Sequence, residues 1–235
     1  MLKTSDMVIN ELSDLDKKYL LMLYFSFWGV NDILPSIEAN ITKINQNPIM
    51  RNELIDLLNL RREETTSVPP VQHMRFDCPF EIHAKYTRDE ILVGLGFWDL
   101  QRQPTMREGV LHLPKLNTDA FFVTLNKSQK HYSPTTMYED YAINERLFHW
   151  QSQSTTSEDS PTGQRYINHR ANDNEILLFV RENRANRSNL AEPYYFLGAA
   201  DYVSHSGSRP ISITWRLKSP LPAYLLRQTS RLVVG

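Results

Sequence analysis

The sequence predicts an α+β protein, with a small N-terminal helical bundle followed by a mostly antiparallel β-domain curled into a barrel. Three observations carry this. Apolar residues recur at three- and four-residue spacing through the first 62 residues. A polar, proline-bearing break follows at Thr65-Thr66-Ser67-Val68-Pro69-Pro70. Beyond it, short strand-like runs alternate with Pro- and Gly-bearing segments. The expected division is a helical domain over residues 1–66, a linker over 67–74 and a β-domain over 75–235.

The elements follow in order. Leu12, Leu15, Tyr19, Leu20, Leu23 and Phe27 form the stripe of a first helix, with Ser13 as its N-cap and Asp14 and Asp16 in its first turn. A second helix is expected over Ile33–Ile44. Asn47-Pro48 opens a third over Ile49–Arg62, with Leu54, Leu57 and Leu58 on one face. A bundle of this size is marginal alone. Thr87-Arg88-Asp89-Glu90 is a capping box for a helix over Arg88–Leu95, stopped by Gly96. Strands are expected over Gly109–Leu113, Ala120–Leu125, Phe148–Gln151, Ile176–Arg181, Tyr194–Leu197, Ala199–His205 and Ile211–Leu217. The tail Leu221–Leu232 reads as a final helix begun at Pro222.

The chain of 235 residues, 41% apolar and 11% aromatic, supports one large domain or two small ones with a real core. No run of about 18 apolar residues is present, so no membrane helix is expected. The N-terminal stretch lacks the order of basic, apolar and cleavage regions of a signal peptide. With the single cysteine, Cys78, this fits a reducing cytoplasm. Net charge is −1, which argues against a polybasic binder. Residues 1–66 hold seven Lys/Arg against ten Asp/Glu, and the remainder nineteen against seventeen. The second part can therefore carry a local basic patch.

Much chemistry is absent. There is no phosphate-binding Gly-x-x-x-x-Gly-Lys loop, no His-Glu-x-x-His, no Cys-x-x-Cys and no Gly-x-Ser-x-Gly elbow. His73, Cys78 and His83 are spaced five apart, which favours a buried thiol beside surface imidazoles over a metal site. Asp201, Ser204 and His205 share one strand whose neighbours face opposite ways, so they form no triad. Asp140, Glu158 and Asp159 lack the lysine motif of a metal-dependent nuclease. No catalytic residue, metal or cofactor is assigned.

The richest segment is Ser133–Gly163. It sets Tyr138, Tyr141, Phe148 and Trp150 beside Glu139, Asp140, His149 and an amide and hydroxyl cluster, Gln151, Ser152, Gln153, Ser154, Thr155 and Thr156. Rings supply stacking faces, and amides, hydroxyls and carboxylates read the edge of a flat polar ligand such as a nucleobase. Taken singly, each ring favours the core of a barrel, and the composition of Gln151–Thr156 favours a polar loop over a reader. Lys127, Lys130, Arg165, His169 and Arg170 are candidates for DNA backbone contacts or plain surface groups. Arg209 and Arg216 are similar.

Several strings resemble a known family. They are F-F-V-T-L-N-K-S, Y-S-P-T-T-M-Y-E-D-Y-A-I, L-F-H-W-Q-S-Q-S-T-T, S-P-T-G-Q-R-Y-I-N-H and D-Y-V-S-H-S-G-S-R-P-I-S-I-T-W-R-L. Together they resemble the C-terminal region of SauUSI-like, modification-dependent (type IV) restriction enzymes, which carry a phospholipase-D-type nuclease and a DEAD/DEAH-box helicase. The resemblance covers about residues 75–230, and residues 1–66 look like the helical coupler to the helicase. It implies a PUA/SRA-like barrel and a non-catalytic module that flips a 5-methyl- or 5-hydroxymethylcytosine out of duplex DNA. The implied partners are such DNA and the nuclease and helicase parts of a parent enzyme. Tyr138-Glu139-Asp140 with Trp150 twelve positions after Tyr138, and the late strand Ile211–Leu217, match the SRA pattern. Two departures stand out: Tyr141 occupies the position of the SRA reader aspartate, and Gln151–Thr156 replaces a glycine-rich segment. The resemblance implies a base held between Tyr138 or Tyr141 and Trp150, with Asp140 accepting from its amino edge. The other reading is a protein-interaction domain that regulates a helicase.

Overall fold

The computed structural model describes residues 11–30, 34–64, 70–106, 109–126 and 140–230. The chain forms two compact units. The first comprises the described parts of residues 1–69 with Asp77–Phe80 and Arg88–Thr105, and the second holds the rest. The helix after the Pro-Pro break thus groups with the N-terminal helices, a division that differs from the sequence boundary at residues 67–74.

The first unit contains α1 (Asp14–Trp28), α2 (Ile37–Asn45), α3 (Pro48–Glu64) and α4 (Arg88–Gly94). Ser13 caps α1 by accepting from the Asp16 N–H at 3.1 Å, and Ser36 caps α2 by accepting from Ala39. Leu20, Met22, Tyr24 and Phe25 of α1 are buried, as are Ile91, Leu92 and Val93 of α4. The two helices pack together, and Phe25 meets Trp98 at 6.1 Å between ring centroids. The sequence pairs α4 with the strands because a helix of seven residues shows no face long enough to reveal its partner. On α3 no residue is buried, and Ile49, Leu57, Leu58 and Leu60 are exposed.

Among the described residues the second unit holds one sheet of eight strands: β1 (Lys85–Tyr86), β2 (Val110–Leu113), β3 (Thr118–Thr124), β4 (Tyr141–Ala142), β5 (Leu147–Gln151), β6 (Glu175–Arg181), β7 (Tyr194–Ser206) and β8 (Ser212–Leu217). Their order is β2-β3-β6-β7-β8-β5-β4, with β1 on the start of β7. The β3–β6 pair is parallel and the other pairings are antiparallel. The expected antiparallel character is present, but the sheet is not closed into a barrel. β2 and β4 end the order without pairing to each other. The physical reason is visible at β4. It is only two residues long, and its residue Ala142 bridges Ser230, just after helix α6 (Ala223–Thr229). That edge is occupied rather than offered to β2.

Central strands explain the core. β3 is buried along its whole length, and β6 along all but Arg181, because both faces of the sheet are covered there. On one face Phe121, Trp150 and Trp215 pack with Tyr166 of α5 (Pro161–Ile167) and Leu225 of α6. On the other, Phe122, Phe179, Phe196 and Tyr194 form a ladder of rings 4.8–5.6 Å apart. The two strands expected over Tyr194–His205 are one, β7, bent where its register with β6 shifts between Leu178 and Phe179. Gly198 sits at that bulge with φ +87°, and the Gln72 side chain replaces a partner strand by accepting from the Ala199 N–H at 2.7 Å. A Cβ at Gly198 would stand 2.7 Å from Gln72 Oε1 and 2.8 Å from Ile82. Gly198→Ala is expected to lower stability by about 1–3 kcal/mol, read from urea unfolding. A variant as stable as the parent would contradict this account of the bulge.

Among the described residues no helix is long and apolar enough to cross a membrane.

Candidate nucleic-acid interface

Residues directly opposite in adjacent strands share a face, and their neighbours take the other. This rule sorts the aromatic-polar segment. One face carries three rows: Gln151–Ser212–Ser206, Tyr141–His149–Thr214–Ser204 and Leu147–Arg216–Asp201. Ser204, Ser206 and Arg216 are exposed and the others half-buried. The opposite face carries Ala142–Phe148–Trp215–Tyr202 and Trp150–Ile213–His205. There Phe148, Trp150, Ile213 and Trp215 are buried.

Phe148 and Trp150 therefore belong to the core. Trp150 packs on Phe121 at 4.3 Å, tilted by 35°, and meets Tyr166 edge-on at 5.5 Å. At 5% exposure its indole lies within the hydrophobic cluster rather than toward solvent. Tyr141 lies on the open face, stacked on His149 with ring centroids 5.0 Å apart and planes 18° from parallel. Gln151 shares that face, and its amide donates to Ser212 Oγ at 3.0 Å.

The polar candidates divide likewise. Asp140 is buried, and its Oδ1 accepts from the Gln151 backbone N–H at 2.9 Å, which fixes the end of β5. Ser152 is fully buried. Its Oγ accepts from the Ile211 N–H at 2.9 Å while its own N–H donates to the Ile211 carbonyl, so it extends the β5–β8 ladder. Tyr138, Lys127 and Lys130 lie outside the described residues.

The three remaining backbone candidates have structural partners. Arg165 Nε donates to Asp119 Oδ2 at 2.8 Å. Arg170 pairs with Asp201 at 2.7 Å, and although burial pushes the Asp201 carboxyl upward, that guanidinium holds it below its ordinary value. His169 is buried, with Nδ1 on the Asn174 carbonyl at 2.9 Å and Nε2 accepting from the Tyr202 N–H at 3.0 Å. That pattern requires a neutral ring protonated at Nδ1. Burial lowers its pKa from the ordinary 6.5, against the opposing pull of the Asn174 carbonyl.

A lowered folded-state pKa means that the unfolded chain binds the proton more readily. Stability from His169 is therefore full above about pH 6.5 and declines as pH falls through that value. His83, also lowered by burial, adds the same sign. Thermal unfolding between pH 8 and 5 is expected to show a falling Tm, flatter in His169→Gln. An identical slope in that variant would remove His169 from the account.

Sequence reasoning placed His149 in the aromatic-polar cluster without a role of its own, and passed over Thr214 and Ser204 as site residues. The signal was the period of two in L-F-H-W-Q and S-I-T-W-R-L, which puts Phe148, Trp150, Ile213 and Trp215 on one side and His149, Gln151, Thr214 and Arg216 on the other. Among the described residues no group of three His, Cys, Asp or Glu side chains is gathered to hold a metal.

Residues 80–229 match a family model described as a domain of unknown function, DUF3427. Among curated proteins none matches the chain.

Proposed function

We propose that this chain, which belongs to the DUF3427 family, is a nucleic-acid recognition module that holds DNA on the open face of β4, β5, β8 and β7. The observation that carries the reading is the Tyr141–His149 ring pair with its flanking row of Gln151 and Ser212 on a solvent-facing sheet. Rings on such a face stack bases, and amides and hydroxyls read their edges. Arg216, exposed at the third row, and Arg146, exposed in the β4–β5 turn, supply phosphate contacts.

The finer reading comes from the family resemblance. In it the base is a flipped 5-methyl- or 5-hydroxymethylcytosine, and the module directs a nuclease-helicase restriction enzyme to modified foreign DNA without doing chemistry itself. Stacking contributes on the order of 1–3 kcal/mol per base, and extrusion costs a few kcal/mol, so the two roughly cancel. One buried methyl adds about 0.8 kcal/mol, roughly fourfold in affinity. A larger preference requires contacts to the base edge. Duplexes carrying unmodified, methylated and hydroxymethylated cytosine, titrated across a salt series, test this. The modified duplexes are expected to bind tighter. Arg216→Ala should weaken all three alike and reduce the salt slope by about one unit. Equal binding across the three duplexes would reject the modified-base reading, and no binding at all would reject the module.

A second reading is favoured by the exposed Ile49, Leu57, Leu58 and Leu60 of α3, which suit a protein partner such as a helicase. Under it, replacing Leu57 and Leu58 by Ser abolishes partner binding and leaves duplex binding unchanged.

A further inference from the structure

The carboxyl ends of the parallel strands β3 and β6 open on a cavity of about 220 Å³. Lys85, Glu182, Tyr195 and Gln228 line it over Leu125 and Val180. A space of that size admits one nucleobase ring.

Two charged lining groups are already committed. Arg181 donates from Nε to Thr124 Oγ1 at 3.0 Å and from Nη1 to the Glu192 carbonyl at 3.3 Å, and it lies over the Tyr194 ring. The Glu192 carboxylate accepts from the backbone and the side-chain amide of Asn183. The side chains of Lys85, Glu182, Tyr195 and Gln228 remain to face a ligand. Their functions are complementary: a ring face, a carboxylate that only accepts, an amide that donates and accepts side by side, and an ammonium. Lys85 is the cross-strand partner of Tyr195 and rests 4.6 Å over its ring.

We propose that this cavity binds the base of a nucleotide that bears an exocyclic amino group. The base lies along Tyr195 and its amino group donates to Glu182. The Gln228 amide spans the adjoining donor and acceptor, and Lys85 moves from the ring to the phosphate. The site lies outside the segment singled out in the sequence. It deepens the nucleic-acid reading and rests on it for the source of the base, a bound strand.

Free nucleotides test the site directly. The full chain is titrated with cytidine, adenosine and thymidine 5′-monophosphates by calorimetry or NMR, the last lacking an exocyclic amino group. Cytidine and adenosine monophosphates are expected to bind at least about tenfold tighter than thymidine monophosphate. Glu182→Gln should erase that difference, and Tyr195→Ala should weaken cytidine monophosphate by about tenfold. Glu182 is exposed, so its variant keeps the fold, which circular dichroism checks. Equal binding of all three, binding of none, or unchanged cytidine monophosphate binding in both variants overturns the site. Duplex binding on the same preparations reads the sheet face separately. A chain that holds duplex but no mononucleotide disproves the cavity and leaves the face standing, and the reverse result does the opposite.

Discussion

Trp150→Ala is expected to destabilise the sheet unit by about 3–5 kcal/mol, enough to consume much of the stability of an ordinary domain. The indole is 5% exposed and packs against both Phe121 and Tyr166. Removing it leaves a cavity where β3, β5 and α5 converge. Chemical denaturation of the two proteins checks this, and Trp150→Phe should lose less because a ring still meets Phe121. A Trp150→Ala variant within 1 kcal/mol of the parent would contradict the core assignment. The consequence for function is direct. Loss of ligand binding in Trp150→Ala reports a damaged fold, so the informative variants lie one residue away, at His149 on the other side of the same strand.

The second large effect is expected at Asp119. Its carboxylate is fully buried and accepts from Arg165 Nε and Asn174 Nδ2, each at 2.8 Å, while His112 Nδ1 lies 3.0 Å from its other oxygen. It thereby joins β2, β3, α5 and the segment leading into β6. Asp119→Ala leaves a cationic guanidinium and an amide without their acceptor, and breaking such a pair from one side costs about 3–5 kcal/mol. Asp119→Asn keeps the shape and is expected to cost about 1–3 kcal/mol. Thermal melts of the two variants should rank in that order. Equal, small shifts would show that the network contributes little.

Local rules made much of this legible. Ser13, the Thr87–Glu90 box and Pro222 mark helix starts that the structure shows within a residue or two, because caps are set by the chain immediately around them. Strands β3, β6 and β8 were readable from their apolar runs. What eluded the sequence depends on distant partners. Arg165 looked like a surface cation because nothing nearby reveals its acceptor, Asp119, 46 positions earlier. The open sheet eluded it because the parallel β3–β6 pairing and the bridge from Ala142 to Ser230 are long-range choices. Helix α5 falls among the Pro- and Gly-bearing segments between strands that the sequence offers only as connections, although Ser160-Pro161 is a cap followed by a proline at the first helical position. Gly163 concealed it. Glycine inside a helix argues for a loop, yet here a Cβ would stand 2.2 Å from the Ser157 carbonyl oxygen, so only glycine fits. The candidate site was half legible. The segment was singled out by its composition, but composition does not say which face a ring takes. The alternation along β5 does.

The central claim is that the open face carrying Tyr141 and His149 binds DNA. Its most direct measurement is a titration of wild-type protein and His149→Ala with one duplex carrying methylated cytosine, at one salt concentration, alongside their unfolding curves. The variant is expected to stay within about 1 kcal/mol of the parent in stability, as cross-strand pairs on a half-exposed face contribute that much. Its affinity for the duplex should fall by about tenfold, the share of one stacked base. Equal affinity of two equally stable proteins would contradict the claim.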